Sequence, residues 1–532
     1  MVRVRTISTL LYDQVRSGKT RRVDLLTTDL RQAVEIARRI YLGESERPYG
    51  AARGPPGVGK TAVAEAVMTD EKIEETLQET NSVFLYEAPT NDLVLSAFER
   101  LLSLTVYDCD TAREFLRSVR LYGSLLPPPY ISEDDGFIKD CNIEPTLLRE
   151  VVGGKITEDI KFVFSTEFQR VSARLKNKRT FYLFIDEAST SPFYLPYTPL
   201  SDIALKNLME EKRGVINALF VVGDENQAIG LEDEYRHGMD LLVLPKIFKL
   251  LSHEDSLETH FKHIGVTLRL PKPTEEPLDR GFYADLGGLK AHYTFNDRFK
   301  ELQLDTWKER WEKCREVASL PHKVNILLVV EKMLSSPLPL AVFNIKESYD
   351  PGERVEPYRV KVAIGLAALF QCLYPRLDIA VVGPYQDLVL TAKANYYSRY
   401  GVTRDERMRH VRFLTIHQML GREADIVIAV LGKERHGEEK RPTIYFQEPN
   451  LLNVQFSRHK AMLVVVGNAT RLRNVAADIA KKQGLKGRRR AKGAASIRTT
   501  IDRVLELVGV SKPRNVPLHS EGGAGVFLKM ET

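Results

Sequence analysis

A chain of 532 residues exceeds one ordinary domain and implies two or three. With 43% hydrophobic and 28% charged residues it is neither disordered nor fibrous, and it has ample material for buried cores. Its 77 lysines and arginines against 71 acidic residues leave a net charge of +6, which suits a nucleic-acid binder and a mixed solvated surface equally. Cys109, Cys141, Cys314 and Cys372 lie far apart with no CxxC pair. That spacing argues against a disulfide framework or a structural zinc site and fits a reducing compartment. No apolar run approaches the roughly 18–20 residues of a membrane helix, since Val324–Val330 meets Glu331. The basic start lacks a signal-peptide core, so an intracellular location, cytoplasmic or nuclear, is expected.

In chain order, residues 1–25 are basic and carry no motif. Leu30, Val34, Ala37 and Tyr41 recur at helical spacing over Asp29–Leu42. A Pro/Gly-rich stretch leads into Gly54-Pro55-Pro56-Gly57-Val58-Gly59-Lys60-Thr61, followed by helix-forming residues. Short apolar runs at Val83–Tyr86, Phe181–Ile185, Ala218–Val222, Asp378–Val382, Ile426–Leu431 and Met462–Val466 predict buried strands. Strands alternating with helices predict an α/β fold with parallel sheets covered on both faces. Pro-rich Leu125–Glu133 and residues 270–280 break the pattern. Near the C-terminus, Lys481, Lys482, Lys486, Arg488, Arg489, Arg490 and Lys492 form a basic cluster; a helix over Ile497–Val508 and a loose Gly-rich end follow.

Three strand-end motifs carry chemistry. Gly54-x4-Gly59-Lys60-Thr61 satisfies the P-loop pattern, in which Gly54, Gly57 and Gly59 let backbone N–H groups approach phosphates. Lys60 then reaches the β/γ-phosphates and Thr61 coordinates Mg²⁺. Asp186-Glu187-Ala188-Ser189 follows the run Phe181–Ile185, which suits Asp186 to holding Mg²⁺ and Glu187 to acting as general base. Gly223-Asp224-Glu225-Asn226-Gln227 ends a third strand, and Gln227 there can orient water or touch the γ-phosphate.

This order of blocks resembles superfamily 1 helicases, specifically the branch of the eukaryotic nonsense-mediated-decay helicase. Ala88-Pro89-Thr90-Asn91 looks like motif Ia, Thr267–Ala291 with Arg269 and Phe282-Tyr283 like the motif IV region, Thr415-Ile416-His417 with Gly421-Arg422-Glu423 like motif V, and Asn453–Lys460 like motif VI. The likeness covers roughly residues 26–470. It implies two tandem RecA-like P-loop domains with parallel sheets and small insertions in the first. Domain 1A would span 26–245 with an insertion at about 101–178, domain 2A would span 246–480, and 481–532 would form a basic tail. It further implies ATP between the domains, with Arg269 and Arg458 supplied by the second as charge-stabilising fingers and Glu423 contacting nucleotide. Single-stranded nucleic acid, DNA or RNA, would track along Thr90, Asn91, Ser165, Thr166, Pro384, Tyr385, Thr415 and His417, with hydroxyls and amides bonding phosphates and Tyr385 offering a stacking face.

The chain departs from the family at base recognition. Leu30 stands where the family has an adenine-reading glutamine, with Gln32 the nearest, and Leu268 replaces a base-stacking tyrosine. Leu420 replaces the glutamine of motif V, with Gln418 two residues away. The expected activity is an ATP- and Mg²⁺-dependent helicase moving 5′-to-3′ on single strands, with polarity taken from the family. An ATPase that remodels protein–nucleic-acid complexes without processive unwinding shares every motif, as does an NTP-gated binding switch. Protein partners are expected through 101–178 or 481–532, and no membrane contact.

Overall fold

The computed structural model describes residues 6–123, 136–166, 169, 171, 180–188, 216–227, 260–317, 320–321, 323–346, 355–400, 411–432, 444–481, 488–510, 519–522 and 524–531. Ser189, the Pro-rich stretch 125–133, Lys482, Lys486 and the side chains of Arg488, Arg489 and Arg490 lie outside the described residues. The described chain divides into two α/β units, residues 1–54 with 58–264 and residues 55–57 with 265–532. Each is RecA-like, built on a seven-stranded sheet.

The first unit opens with helix α1 (Ile7–Ser17), capped by the Thr6 hydroxyl and closed by Gly18 in the left-handed region. Ile7 and Leu11 are fully buried, so this basic segment is a packed element rather than a free arm. Helix α2 (Thr28–Tyr41) follows the predicted periodicity, with Leu30, Ala37 and Tyr41 buried and Val34 half-buried. Strand β1 (Tyr49–Arg53) runs into the P-loop and helix α3 (Lys60–Met68). Helix α4 (Glu71–Glu79), strand β2 (Ser82–Ala88) and helix α5 (Asn91–Thr105) come next. Helix α6 (Cys109–Ser118), strand β3 (Val119–Tyr122), helices α7 (Gly136–Asp140) and α8 (Pro145–Val151), and strand β4 (Phe162–Thr166) fall within residues 101–178. Strands β5 (Thr180–Ile185), β6 (Ile216–Gly223) and β7 (Phe261–His263) complete the unit.

The sheet order is β3-β4-β2-β5-β6-β1-β7, every pair parallel. Strands β3 and β4 thus lengthen the sheet at one edge. Parallel pairing brings all carboxyl ends to one rim, the usual ligand edge of such sheets. One strand, β6, separates the P-loop strand β1 from β5, the strand that ends at Asp186. Phe84, Phe164, Phe181, Phe184 and Phe220 are fully buried. Each contributes about 1.5–3 kcal/mol by leaving water.

The second unit begins with a two-stranded pair, β8 (Val266–Thr267) and β9 (Lys290–Ala291), flanking short helical turns over 276–286. Helices α9 (Phe295–Glu301), α10 (Trp307–Val317) and α11 (Lys323–Ser335) precede its sheet. The sheet holds β10 (Leu340–Lys346), β11 (Ile379–Gly383), β12 (Val411–Thr415), β13 (Ala424–Val430), β14 (His459–Gly467), β15 (His519–Gly522) and β16 (Gly525–Glu531). Their order is β12-β11-β13-β14-β10-β16-β15, parallel except for the last pair. Helices α12 (Pro357–Leu373), α13 (Gln386–Tyr400), α14 (Asn450–Phe456), α15 (Ala469–Lys481) and α16 (Arg488–Leu507) pack around it.

Two expectations are corrected. The Gly-rich end is not loose: Gly525–Glu531 pairs residue for residue with Leu340–Lys346, and Val526 and Phe527 are fully buried. The consecutive apolar residues Val526, Phe527 and Leu528, all buried, outweigh its glycines once β10 offers an open edge. The cysteines are not free thiols either, for Cys109 bonds Cys141 and Cys314 bonds Cys372. Separations of 32 and 58 residues say nothing about distance in space. Cys109 starts α6 while Cys141 follows α7, and packed helices α10 and α12 carry the second pair. Among the described residues no helix is long and apolar enough to cross a membrane.

Candidate functional site

The P-loop conformation depends on its glycines. A Cβ at Gly54 would lie 2.6 Å from Lys60 Cγ and 2.8 Å from Val58 Cγ2, and Gly59 has φ of 90° in the left-handed region. Gly59 caps α3 without a side-chain hydrogen bond, so the helix presents its first N–H groups unblocked by a side chain. Lys60 is 6% exposed, and its Nζ donates to the Gly54 carbonyl at 2.8 Å and lies 3.3 Å from Glu187 Oε1.

Strand alternation puts Tyr86, Phe184 and Asp186 on one face, where the rings of Tyr86 and Phe184 stack at 5.9 Å. Asp186 is fully buried. Its Oδ2 accepts from the Tyr86 hydroxyl at 2.7 Å and the Thr61 hydroxyl at 3.0 Å, and its Oδ1 accepts from the Glu187 N–H at 2.8 Å. Burial pushes the Asp186 carboxyl up and the charge of Glu187 adds to this, while Tyr86, Lys60 and Thr61 oppose it. Glu187 has φ of 49°, a strained backbone that aims its carboxylate back at Lys60. Beyond β6, Gln227 Nε2 donates to the buried Asp224 at 2.7 Å, which orients the amide. Lys60, Thr61, Asp186 and Glu187 therefore converge at one strand rim. An ammonium, a hydroxyl and two carboxylates around a glycine cradle fit a nucleoside triphosphate with Mg²⁺: Lys60 for the phosphates, Thr61 and Asp186 for the metal.

Gln32 is not brought to this cradle. It lies exposed on α2, two residues and so about 200° around the helix from Leu30. Leu30 faces the P-loop instead, its Cδ2 3.2 Å from where a Gly59 Cβ would stand. Thr90 is exposed at the start of α5, its hydroxyl accepting from the Leu93 N–H, and Asn91 beside it is half-buried, its buried Oδ1 without a hydrogen-bond partner among the described residues. Ser165 and Thr166 are placed otherwise. Ser165 is fully buried with its hydroxyl donating to the Thr166 carbonyl, and Thr166 is 6% exposed, so of the four only Thr90 is exposed, with Asn91 half-buried beside it.

In the second unit, Arg269, Glu423 and Lys460 meet. Glu423 Oε2 accepts from Arg269 Nε at 2.9 Å and Oε1 lies 2.7 Å from Lys460 Nζ. Partial burial pushes Glu423 up, but the two cations win and hold it down at about 2. Arg269 Nη1 also donates to the Ser457 carbonyl at 3.3 Å. Arg458 is 2% exposed, with Nε donating to the Val454 carbonyl at 3.3 Å. Pro384 is buried, and Tyr385 is half-buried against the core. Thr415 and His417 are half-buried at the end of β12. Gln418 caps that turn, since its Oε1 accepts from the Thr415 N–H at 3.0 Å and its own N–H donates to the Thr415 hydroxyl at 3.2 Å. It therefore does not replace the glutamine missing at Leu420.

Motif reasoning gave no role to Tyr86, Asp224 or Lys460, although the last two lie within quoted motifs. For Tyr86 a signal existed, because a tyrosine closing the apolar run Val83–Leu85 of a buried strand needs a partner for its hydroxyl.

The sequence family described as an AAA domain matches residues 319–470, inside the second unit. No curated protein matches the chain. Among solved structures, the crystal structure of arterivirus nonstructural protein 10 (helicase) is similar over 82% of this chain and 62% of that one, with 11% identity and a TM-score of 0.31. The chain spans less than two thirds of that protein's length.

Proposed function

We propose that the chain is a Mg²⁺-dependent NTPase of the superfamily 1 helicase kind, stimulated by single-stranded nucleic acid and coupling hydrolysis to 5′-to-3′ movement and duplex unwinding. The observation that carries this is the Thr61–Asp186 contact beside the Lys60–Glu187 pair at the P-loop rim. Lys60 binds phosphate, Glu187 takes the proton of the attacking water, and Gln227 orients that water. Arg269 and Arg458 neutralise charge on the transferring phosphoryl group. Thr90, Asn91, Thr415 and His417 contact phosphates of the strand without reading bases, leaving DNA and RNA both acceptable.

Leu30 offers the base no donor or acceptor. Apolar contact discriminates isosteres only about 10–200-fold, whereas hydrogen-bond readout reaches roughly 10⁴-fold or more. We therefore expect ATP, GTP, CTP and UTP all to be hydrolysed.

The test is NTP hydrolysis with and without single-stranded DNA and RNA, followed by strand displacement on tailed duplexes. Lys60→Ala should abolish turnover and leave strand binding largely intact, and Glu187→Gln should trap bound nucleotide. Full hydrolysis by Glu187→Gln would remove the base assignment. Strand-stimulated hydrolysis without displacement would favour the remodelling ATPase. Hydrolysis indifferent to strands would favour a binding switch.

A further inference from the structure

Helix α3 carries an acidic residue that neither phosphate nor metal chemistry uses. Glu65 is fully buried five residues beyond Lys60. Its Oε1 accepts from Arg100 Nη1 at 2.6 Å and its Oε2 from Arg21 Nη2 at 3.0 Å. A buried carboxylate is strongly destabilising unless paired, and these two cations offset that. Both arginine side chains remain 40–45% exposed, so neither needs Glu65 to stay solvated.

The two arginines arrive from different places. Arg100 lies on α5, the 15-residue helix that begins at Thr90 and Asn91. Arg21 belongs to the N-terminal segment, held to α5 by its N–H on the Ser103 carbonyl at 2.8 Å. Arg100 also reaches electrostatically toward the nucleotide side. Burial would lower its pKa, but the hydrogen bond and charge of Glu65 raise it, and Tyr86 and Asp186 add to this.

We propose that Glu65 and Arg100 are positioning residues through which a strand bound at Thr90 and Asn91 acts on the P-loop helix and accelerates hydrolysis. This rests on reading the chain as a strand-stimulated NTPase. The physical basis is rigidity. A helix of 15 residues transmits a displacement at its first turn along its length, and the ion pair passes it to α3, whose first turn holds Lys60 and Thr61.

Arg21 supplies the control, since it pairs with the same carboxylate but does not lie on α5. The full chain is assayed for Mg²⁺-ATP hydrolysis with and without saturating oligo(dT) and oligo(U), for strand affinity by fluorescence anisotropy, and for thermal melting. Arg100→Gln should keep basal turnover and strand affinity within about twofold while its stimulation falls about tenfold. Arg21→Gln should keep its stimulation, and Arg100→Lys should recover much of it. Stimulation retained by Arg100→Gln overturns the proposal. So does an equal loss in Arg100→Gln and Arg21→Gln that follows a falling melting temperature, the mark of a stabilising pair alone. Wild-type hydrolysis unmoved by either strand would instead overturn the strand-stimulated reading, and it shows before any variant is made.

Discussion

At Glu275 and His459 the second unit buries two titratable groups on either side of Thr274. His459 is fully buried with Nε2 2.7 Å from the Thr274 hydroxyl, and burial, helped by the charge of Arg269, holds it down at about 3. Glu275 is 4% exposed, its Oε1 accepting from the Ala291 N–H at 3.3 Å, and burial pushes it up to about 7. The signs differ in consequence. The depressed His459 contributes stability above its unfolded value that is lost as pH falls toward about 3. The raised Glu275 contributes stability below its unfolded value that is lost as pH rises through about 7. Glu275→Gln should therefore melt higher than wild type at pH 8, by up to roughly 3 kcal/mol of stability, and gain less than about 1 kcal/mol at pH 5. Melting curves at both pH values decide it, and a gain independent of pH would refute the assignment. None of this was legible in the residues alone, because a glutamate in a Pro-rich loop and a histidine beside a motif arginine read as solvated until packing encloses them.

Among the elements, the apolar runs translated directly into strands. Phe181–Ile185 and Met462–Val466 lie inside β5 and β14, since fully buried parallel strands need continuous apolar sequence. Strand β1 escaped notice because Tyr49-Gly50-Ala51-Ala52-Arg53 is short and small. Gly50 is there for close approach: a Cβ would lie 2.8 Å from the His260 carbonyl. Helix pairing was equally hidden. Cys314 on α10 and Cys372 on α12 close a 58-residue separation, which in the chain-entropy account stabilises by about 4 kcal/mol. Alkylation of the unreduced, denatured chain should label none of the four cysteines, and reduction should lower the melting temperature of the second unit. Four labelled thiols would contradict the pairing.

Across the whole molecule, the C-terminal segment changes role. Helix α16 joins the second unit through Arg503 to Glu276 and through Arg473 to Asp502, and β16 extends its sheet from Leu340 to Lys346. Removing 481–532 should therefore destabilise the second unit as a whole, seen as a lost or lowered melting transition, and not merely weaken strand binding. Replacing Lys481 and Lys492 with Gln is the cleaner probe of the basic cluster, lowering the slope of log affinity against log salt by at most about 2 with the fold intact. The modest net charge of +6 does not anticipate this, because charge totals ignore placement. By itself, the sequence determined the α/β class, the P-loop and the carboxylates at the strand ends. These follow from local pattern: apolar runs, glycines at fixed offsets and acidic residues directly after a strand. Only the tertiary structure decided that Tyr86 shares Asp186, that Glu65 gathers two arginines, that Gln32 faces away and that the cysteines pair. Each joins residues from separate segments, and side-chain partners across such distances are set by sheet order and helix packing, which no single stretch of sequence encodes.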